Sequence, residues 1–220
     1  MIRAIDDIMR LVDKYTQYLE AKGARFDKNG FPIPERSWYL DEWPERIVTY
    51  RERKSRIVLH PDKTALCFFC ADDRIYPRFE KVLEELDEYR QFMGVVGADI
   101  TVTKDMDIEW QREIILLNQL FTAMLAVNNI KVIQNLRIGS LGTLSCLINV
   151  PSGVMCASGT LGCDLAETDD YSYSVKLCLL HPSRVLLYGR RDKHMEQQLD
   201  RLDIPHRLYD DTHKLHKSGQ

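Results

Sequence analysis

The sequence predicts an α/β protein: a mostly parallel sheet built from repeated βα units, open or partial-barrel-like, with an N-terminal helical and extended appendage. Three observations predict it. From Thr64 onward, short apolar runs alternate with stretches of helical periodicity, the pattern of βαβ units. The 50 residues from Ile114 to Cys163 hold only two charges, Lys131 and Arg137, so most of them must lie inside. Six apolar runs are too few for a closed eightfold barrel, which takes about 250 residues, whereas 220 residues suffice for one substantial core.

Ile2, Ile5, Ile8, Met9, Leu11, Val12, Tyr15 and Leu19 recur at three- and four-residue spacings, so residues 2–22 form an amphipathic helix stopped at Gly23. Such a helix needs a surface to lie on. Arg25 to Trp43 then passes through Asn29-Gly30, Pro32 and Pro34, with Phe26, Phe31, Trp38, Tyr39 and Trp43 between. This reads as an extended arm pinned by aromatics. The expected organisation is an N-terminal helix and aromatic arm over 1–60, an α/β core domain over 61–210, and a loose C-terminal tail over 211–220.

Strands are expected at Ala65–Cys70, Phe92–Gly97, Ile130–Leu136, Val154–Ser158, Arg184–Tyr188 and His206–Tyr209. Helices are expected at Pro77–Tyr89, Asp107–Asn128, Leu141–Leu147, Tyr171–Leu180 and Asp192–Leu202. Strands buried on both faces read as continuous apolar runs, as Ala65 to Phe69 does. The helix at 107–128 carries Ile114, Leu117, Leu120, Phe121, Met124 and Leu125 around more than one stripe. That predicts a central helix, with a self-association face of a homo-oligomer as the other reading.

Thirty Lys plus Arg against 33 Asp plus Glu leave a formal charge of −3, which excludes broad affinity for nucleic-acid phosphates over the whole surface. Charge falls in blocks. Residues 72–109 hold 11 acids and five bases, a net of −6, and residues 46–63 hold six bases and two acids, a net of +4, so the two surfaces attract. The N-terminus carries Asp6, Asp7 and Asp13 and no apolar run of signal-peptide length. The most apolar stretch, 114–127, is broken by Asn118, Gln119 and Thr122 and falls short of the about 20 residues of a membrane span. A cytoplasmic protein without membrane contact is expected, with Cys67, Cys70, Cys146, Cys156 and Cys178 as reduced thiols in apolar runs.

In parallel sheets ligands collect beyond the carboxyl ends of the strands. The first strand is followed by Asp72 and Asp73, the second by Gly97-Ala98-Asp99, the third ends in Asn135 and Arg137, the fourth runs into Ser158-Gly159-Thr160-Leu161-Gly162-Cys163, and the fifth into Tyr188-Gly189. Asn135 and Arg137 lie two apart and point to one face of the strand. A guanidinium there wants a carboxylate or a phosphate. Asp99 as an internal ion-pair partner and an anionic ligand are the two readings. The glycines after the fourth strand bring backbone N–H groups close to an anion, or simply make a tight turn. Neither a phosphate-loop ending nor a dinucleotide fingerprint is present. A Cys163 nucleophile lacks a histidine base at these strand ends.

Cys67-Phe68-Phe69-Cys70 has C-x-x-C spacing, but on a strand those thiols point to opposite faces, and no second pair completes a zinc site. No metal is expected, and no cofactor can be named. His206, His213 and His216 crowd the tail, where solvation is the simpler reading. The basic run Arg46 to Arg56 is read as docking on the acidic block, with contact to nucleic-acid phosphates as the lesser reading.

Gly97-Ala98-Asp99-Ile100-Thr101 resembles a G-P-D-F/I-S/T motif, followed by Asp105-Met106. Ile130 to Arg137 is similar to I-K-V-I-P-N-V/L-R, and Ser158 to Cys163 to S/G-T-H-G-C. Cys146 and Pro151 fit F-C-F-D-G-I/L-P, and Tyr188-Gly189 fits a late strand end. In this order, over residues 65–210, these segments resemble the family catalogued as domain of unknown function 4417. Leu161 stands where that family tends to have histidine, Ile138 where it has tryptophan, and Asn149-Val150 where it has Asp-Gly. The resemblance implies a phage or mobile-element origin and the same strand-end crevice.

The expected function is binding of a small anionic or nucleotide-like ligand at the carboxyl edge of the sheet by Asp99, Asn135, Arg137, Ser158, Thr160, Gly162 and Cys163, without an assignable reaction. The alternative is an interaction module that contacts a host or replication protein through Phe26 to Trp43 and Arg46 to Arg56.

Overall fold

In the computed structural model, which describes residues 5–160 and 172–218, seven strands form one sheet in which every neighbouring pair is parallel. They are β1 (Arg46–Thr49), β2 (Thr64–Cys67), β3 (Gly94–Val96), β4 (Val132–Asn135), β5 (Met155–Gly159), β6 (Arg184–Tyr188) and β7 (His206–Tyr209). Their order in space is their order in the chain. The α-helices are α1 (Ile5–Ala21), α2 (Asp72–Lys81), α3 (Leu86–Tyr89), α4 (Ile108–Ala126), α5 (Ser172–Leu180), α6 (Lys193–Arg201) and α7 (Thr212–Ser218).

A strand order without reversal gathers right-handed crossovers on one face. The core divides accordingly. Val48, Leu66, Val95, Val132, Cys156, Val185 and Leu187 join the helices in one large cluster. Their alternating neighbours Ile47, Ala65, Cys67, Val96, Ile133, Met155, Ala157, Leu186, Tyr188 and Tyr209 form a second one, to which no helix among the described residues contributes. The sheet covers that second face by curling on itself into a nearly closed barrel. Side chains bridge the seam between β7 and the segment before β1. Tyr209 Oη donates to the Pro44 carbonyl at 2.9 Å, and the Trp43 ring lies 4.4 Å from the Arg207 guanidinium.

Asp107 caps α4 by accepting from the Glu109 and Trp110 amides. This helix is central as expected: Leu117, Leu120, Phe121 and Leu125 are fully buried within the one chain. The Phe121 ring meets Phe79 at 4.9 Å and Phe68 at 5.2 Å. The amphipathic α1 finds its surface here, packing along α4, with Tyr15 Oη donating to the Phe79 carbonyl at 2.6 Å and Tyr18 Oη to Asn128 at 2.9 Å.

The expected docking of the basic segment on the acidic block is present. Arg53 and Lys54 reach Glu88 at 2.8 and 3.0 Å, and Tyr50 Oη donates to Glu85 at 3.0 Å. The aromatic arm lies along the start of β4, where Leu40 N donates to the Val132 carbonyl at 2.9 Å, and its Phe31 and Tyr39 are buried.

Three expectations need correction. Residues 1–60 are more than an appendage, because β1 within them pairs with β2 from Arg46↔Thr64 to Thr49↔Cys67. The helix expected from Pro77 starts at Asp72, where Asp72 and Asp73 complement the helix dipole, and breaks after Lys81 before resuming as α3. Pro77 sits inside it, not at its first position. The tail folds as α7, with Lys214 N donating to buried Asp211 and His216 standing 3.0 Å from Glu52. The short helix expected at Leu141–Leu147 stands at those bounds, as a 3-10 helix.

Candidate functional site

Val95↔Val132 and Val96↔Ile133 pairing brings the exit of β3 beside the end of β4. There Asn135 Nδ2 donates to Asp99 Oδ1 at 2.8 Å and to the Ala98 carbonyl at 3.0 Å, latching the two exits together. Two residues on, Arg137 Nε stands 3.7 Å from the same Asp99 oxygen. The two side chains thus meet one carboxylate as their spacing predicts, although Arg137 lies just beyond β4. The Arg137 side chain is only 25 % exposed, and among the described residues no acceptor takes a hydrogen bond from it. Burial pushes the Asp99 carboxyl above its ordinary range, although Arg137 and Asn135 favour its ionised form; Asp72 reinforces the rise.

These groups line a cleft of about 380 Å³ at the carboxyl rim of β4 and β5. Its opposite wall is α5, whose Lys176 donates to the Leu136 carbonyl at 2.9 Å and lies 5.4 Å over the Tyr173 ring. Ser158 Oγ meets Tyr173 Oη at 3.4 Å, and Lys104 lies on the loop that follows β3. Two glycines let the walls close in. A Cβ at Gly159 would stand 2.8 Å from the Phe69 ring, and one at Gly139 would overlap the Gln111 carboxamide. That carboxamide accepts from Ser140 N and donates to the Met106 carbonyl, both at 2.7 Å, so it holds the loop after β4 against the loop after β3.

Four of the expected site residues, Asp99, Asn135, Arg137 and Ser158, therefore meet at one cleft. Thr160 does not. Its hydroxyl bonds to the Tyr188 and Arg190 carbonyls at 3.2 and 2.8 Å, tying the exit of β5 to that of β6 outside the cleft. Gly162 and Cys163 lie outside the described residues. Reading strand ends missed Tyr173 and Lys176 on α5, whose i, i+3 spacing places them on one helical face. Asp72, expected in a loop, holds the neighbouring exit from the first turn of α2: Thr101 donates to it from both N and Oγ1 at 3.1 Å.

Cys67, the last residue of β2, belongs to the barrel interior, and Cys70, in the loop that follows, packs against the helical side, so the two thiols face apart. Burial pushes Cys70 up to about 11, with Asp99 and Asp72 adding to the effect, which leaves it a neutral thiol near pH 7. Among the described residues no group of three or more His, Cys, Asp or Glu side chains is placed to hold a metal ion. A second cleft, of about 430 Å³, contains Lys22, Arg25 and Lys131. It lies where α1 and α4 end, and helix C-termini oppose an anion. No helix among the described residues is long and apolar enough to cross a membrane.

A family model described as domain of unknown function (DUF4417) matches residues 28–206 and so reaches back through the aromatic arm and β1. No curated protein and no solved structure matches the chain.

Proposed function

The chain belongs to the DUF4417 family, and for this member we propose that the cleft at the carboxyl rim of the sheet binds a small anionic or nucleotide-like ligand through Arg137. One observation carries the reading. A guanidinium has five donors; here Nε is buried without a hydrogen-bond partner, which costs free energy that a fold has no reason to bear, and no described residue accepts from the remaining N–H groups, which water can reach. A phosphate or carboxylate would satisfy them with short, charge-assisted bonds. The cleft volume falls within the range of small-molecule sites.

In this reading the protein serves a phage or mobile element in the cytoplasm of a bacterial host. Unpaired Cys67, Cys146 and Cys156, all buried in the core, support a reducing compartment. Partner docking through residues 26–56 has less behind it, because Phe31 and Tyr39 are buried and Arg53 and Lys54 are already paired with Glu88.

A thermal-shift titration with inorganic phosphate, AMP and other mononucleotides tests the reading. A ligand that binds only the folded state raises the melting temperature in proportion to RT ln(1 + [L]/Kd). Wild type is expected to respond and Arg137→Gln to lose the response. Silence of the wild type towards every probe, or an equal response from the variant, would overturn it.

A further inference from the structure

Asp99 gives the cleft a second, different recognition group. Its Oδ1 accepts from Asn135 and faces Arg137, whereas its Oδ2 takes no hydrogen bond from any described residue. Donors close by in sequence are committed elsewhere: both the amide and the hydroxyl of Thr101 go to Asp72. An acceptor oxygen beside an unbonded guanidinium asks for a ligand that carries an anion and, a few atoms away, a donor.

Resting on the anion reading above, we infer that the ligand is a phosphorylated sugar, free or within a mononucleotide, with its phosphoryl group on Arg137 and a sugar hydroxyl on Asp99. Phosphate suits Arg137 better than a carboxylate, since its tetrahedral set of oxygens can accept from more of the guanidinium N–H groups at once. A hydroxyl suits Asp99 better than an ammonium group does. It donates to the carboxylate and accepts from the carboxylic acid, so it pairs with either form of a group whose charge burial disfavours. An ammonium group would require the ionised form and would bring one more charge out of water.

Titration calorimetry of the full chain with inorganic phosphate, ribose 5-phosphate, AMP, ribose and glycine tests this. A hydrogen bond to an ionisable carboxyl predicts that ribose 5-phosphate binds about tenfold or more tighter than phosphate. AMP binding no tighter than ribose 5-phosphate marks a free sugar phosphate; tighter binding marks a nucleotide. Asp99→Ala is expected to abolish the sugar's advantage while phosphate itself binds at least as well, because a repelling carboxylate has gone. Should that variant not fold, Asp99→Asn retains the Asn135 contact, and the advantage shrinks. If phosphate binds in an Arg137-dependent way but the sugar phosphates gain nothing, or glycine binds more tightly, this inference falls and the anion site stands. If no probe binds, both fall.

Discussion

Arg137 stands 3.7 Å from Asp99 yet donates no hydrogen bond to it. Structural Arg–carboxylate pairs earn their place through bidentate geometry, and a partly buried pair without it contributes little against the cost of desolvating two charges. Asn135 does what such a pair would do for the fold, joining the exits of β3 and β4 through Asp99 and the Ala98 carbonyl. Arg137 makes no hydrogen bond that joins these exits, as the proposed anion site requires.

Arg137→Met should therefore separate stability from binding. Denaturant unfolding is expected to shift by no more than about 1 kcal/mol, while phosphate affinity falls by about a hundredfold. Asn135→Ala should show the reverse order of effects, losing about 2 kcal/mol with its two hydrogen bonds. A loss above about 3 kcal/mol for the methionine variant would make Arg137 part of the architecture.

Thr160→Val tests the reassignment of a residue that the sequence pattern placed in the site. The substitution keeps the shape and removes a hydroxyl bonded to the Tyr188 and Arg190 carbonyls. A loss of about 1–2 kcal/mol is expected, with the phosphate titration unchanged. A weakened titration at unchanged stability would return Thr160 to the ligand.

Gly139→Ala should strike the cleft through its wall. The added Cβ overlaps the Gln111 carboxamide and stands 2.7 Å from Val102 Cγ1. Gln111 must then give up Ser140 N or Met106 O. Destabilisation of about 1–3 kcal/mol is expected from overpacking, read as a lower thermal midpoint, together with weaker anion binding as the loop after β4 moves. Unchanged melting would mean that this contact relaxes freely.

How far the sequence carried depended on whether a signal was local. β6 and β7 stand where their apolar runs place them, and Asn135 at the end of β4 and Arg137 two residues beyond it both face Asp99. β1 escaped because its four residues open on Arg46 inside a basic run, so the β-branched Ile47-Val48-Thr49 was outweighed by the charge around it. The start of α2 escaped because Pro77 resembles a first helical residue, whereas the pair Asp72-Asp73 was the better marker. Lys176 and Tyr173 could not be reached by reading strand exits, since what brings α5 over β4 is packing between elements 40 residues apart. A threonine at a strand exit serves a neighbouring carbonyl as readily as a ligand, and only coordinates show which.

The pH dependence of stability supplies the last test, because Asp99 opposes the usual trend. Hydrogen bonds from Arg10 hold Glu80 below its ordinary range; at Glu88 burial pushes the other way, but bonds from Arg53 and Lys54 prevail. Each of these contributes stability above the ordinary carboxyl value of about 4, which is lost as pH falls through the folded value. Asp99 is raised by burial, so the folded chain holds its proton more tightly than the unfolded chain does. Its contribution is fully present below the unfolded value and is lost as pH rises through the folded one. Asp99→Asn, which cannot ionise, should gain on wild type as pH climbs from about 3 and then hold a constant difference once Asp99 is ionised in both states. Urea unfolding of the two proteins across that range gives the difference directly. A flat difference would mean that Arg137 and Asn135 fully offset the burial of the carboxyl. The same sign governs the ligand: an anion on Arg137 favours the protonated acid, so the Asp99 contribution should make phosphate binding take up protons and tighten as pH falls, and Asp99→Asn should remove that contribution, leaving only the titration of phosphate itself.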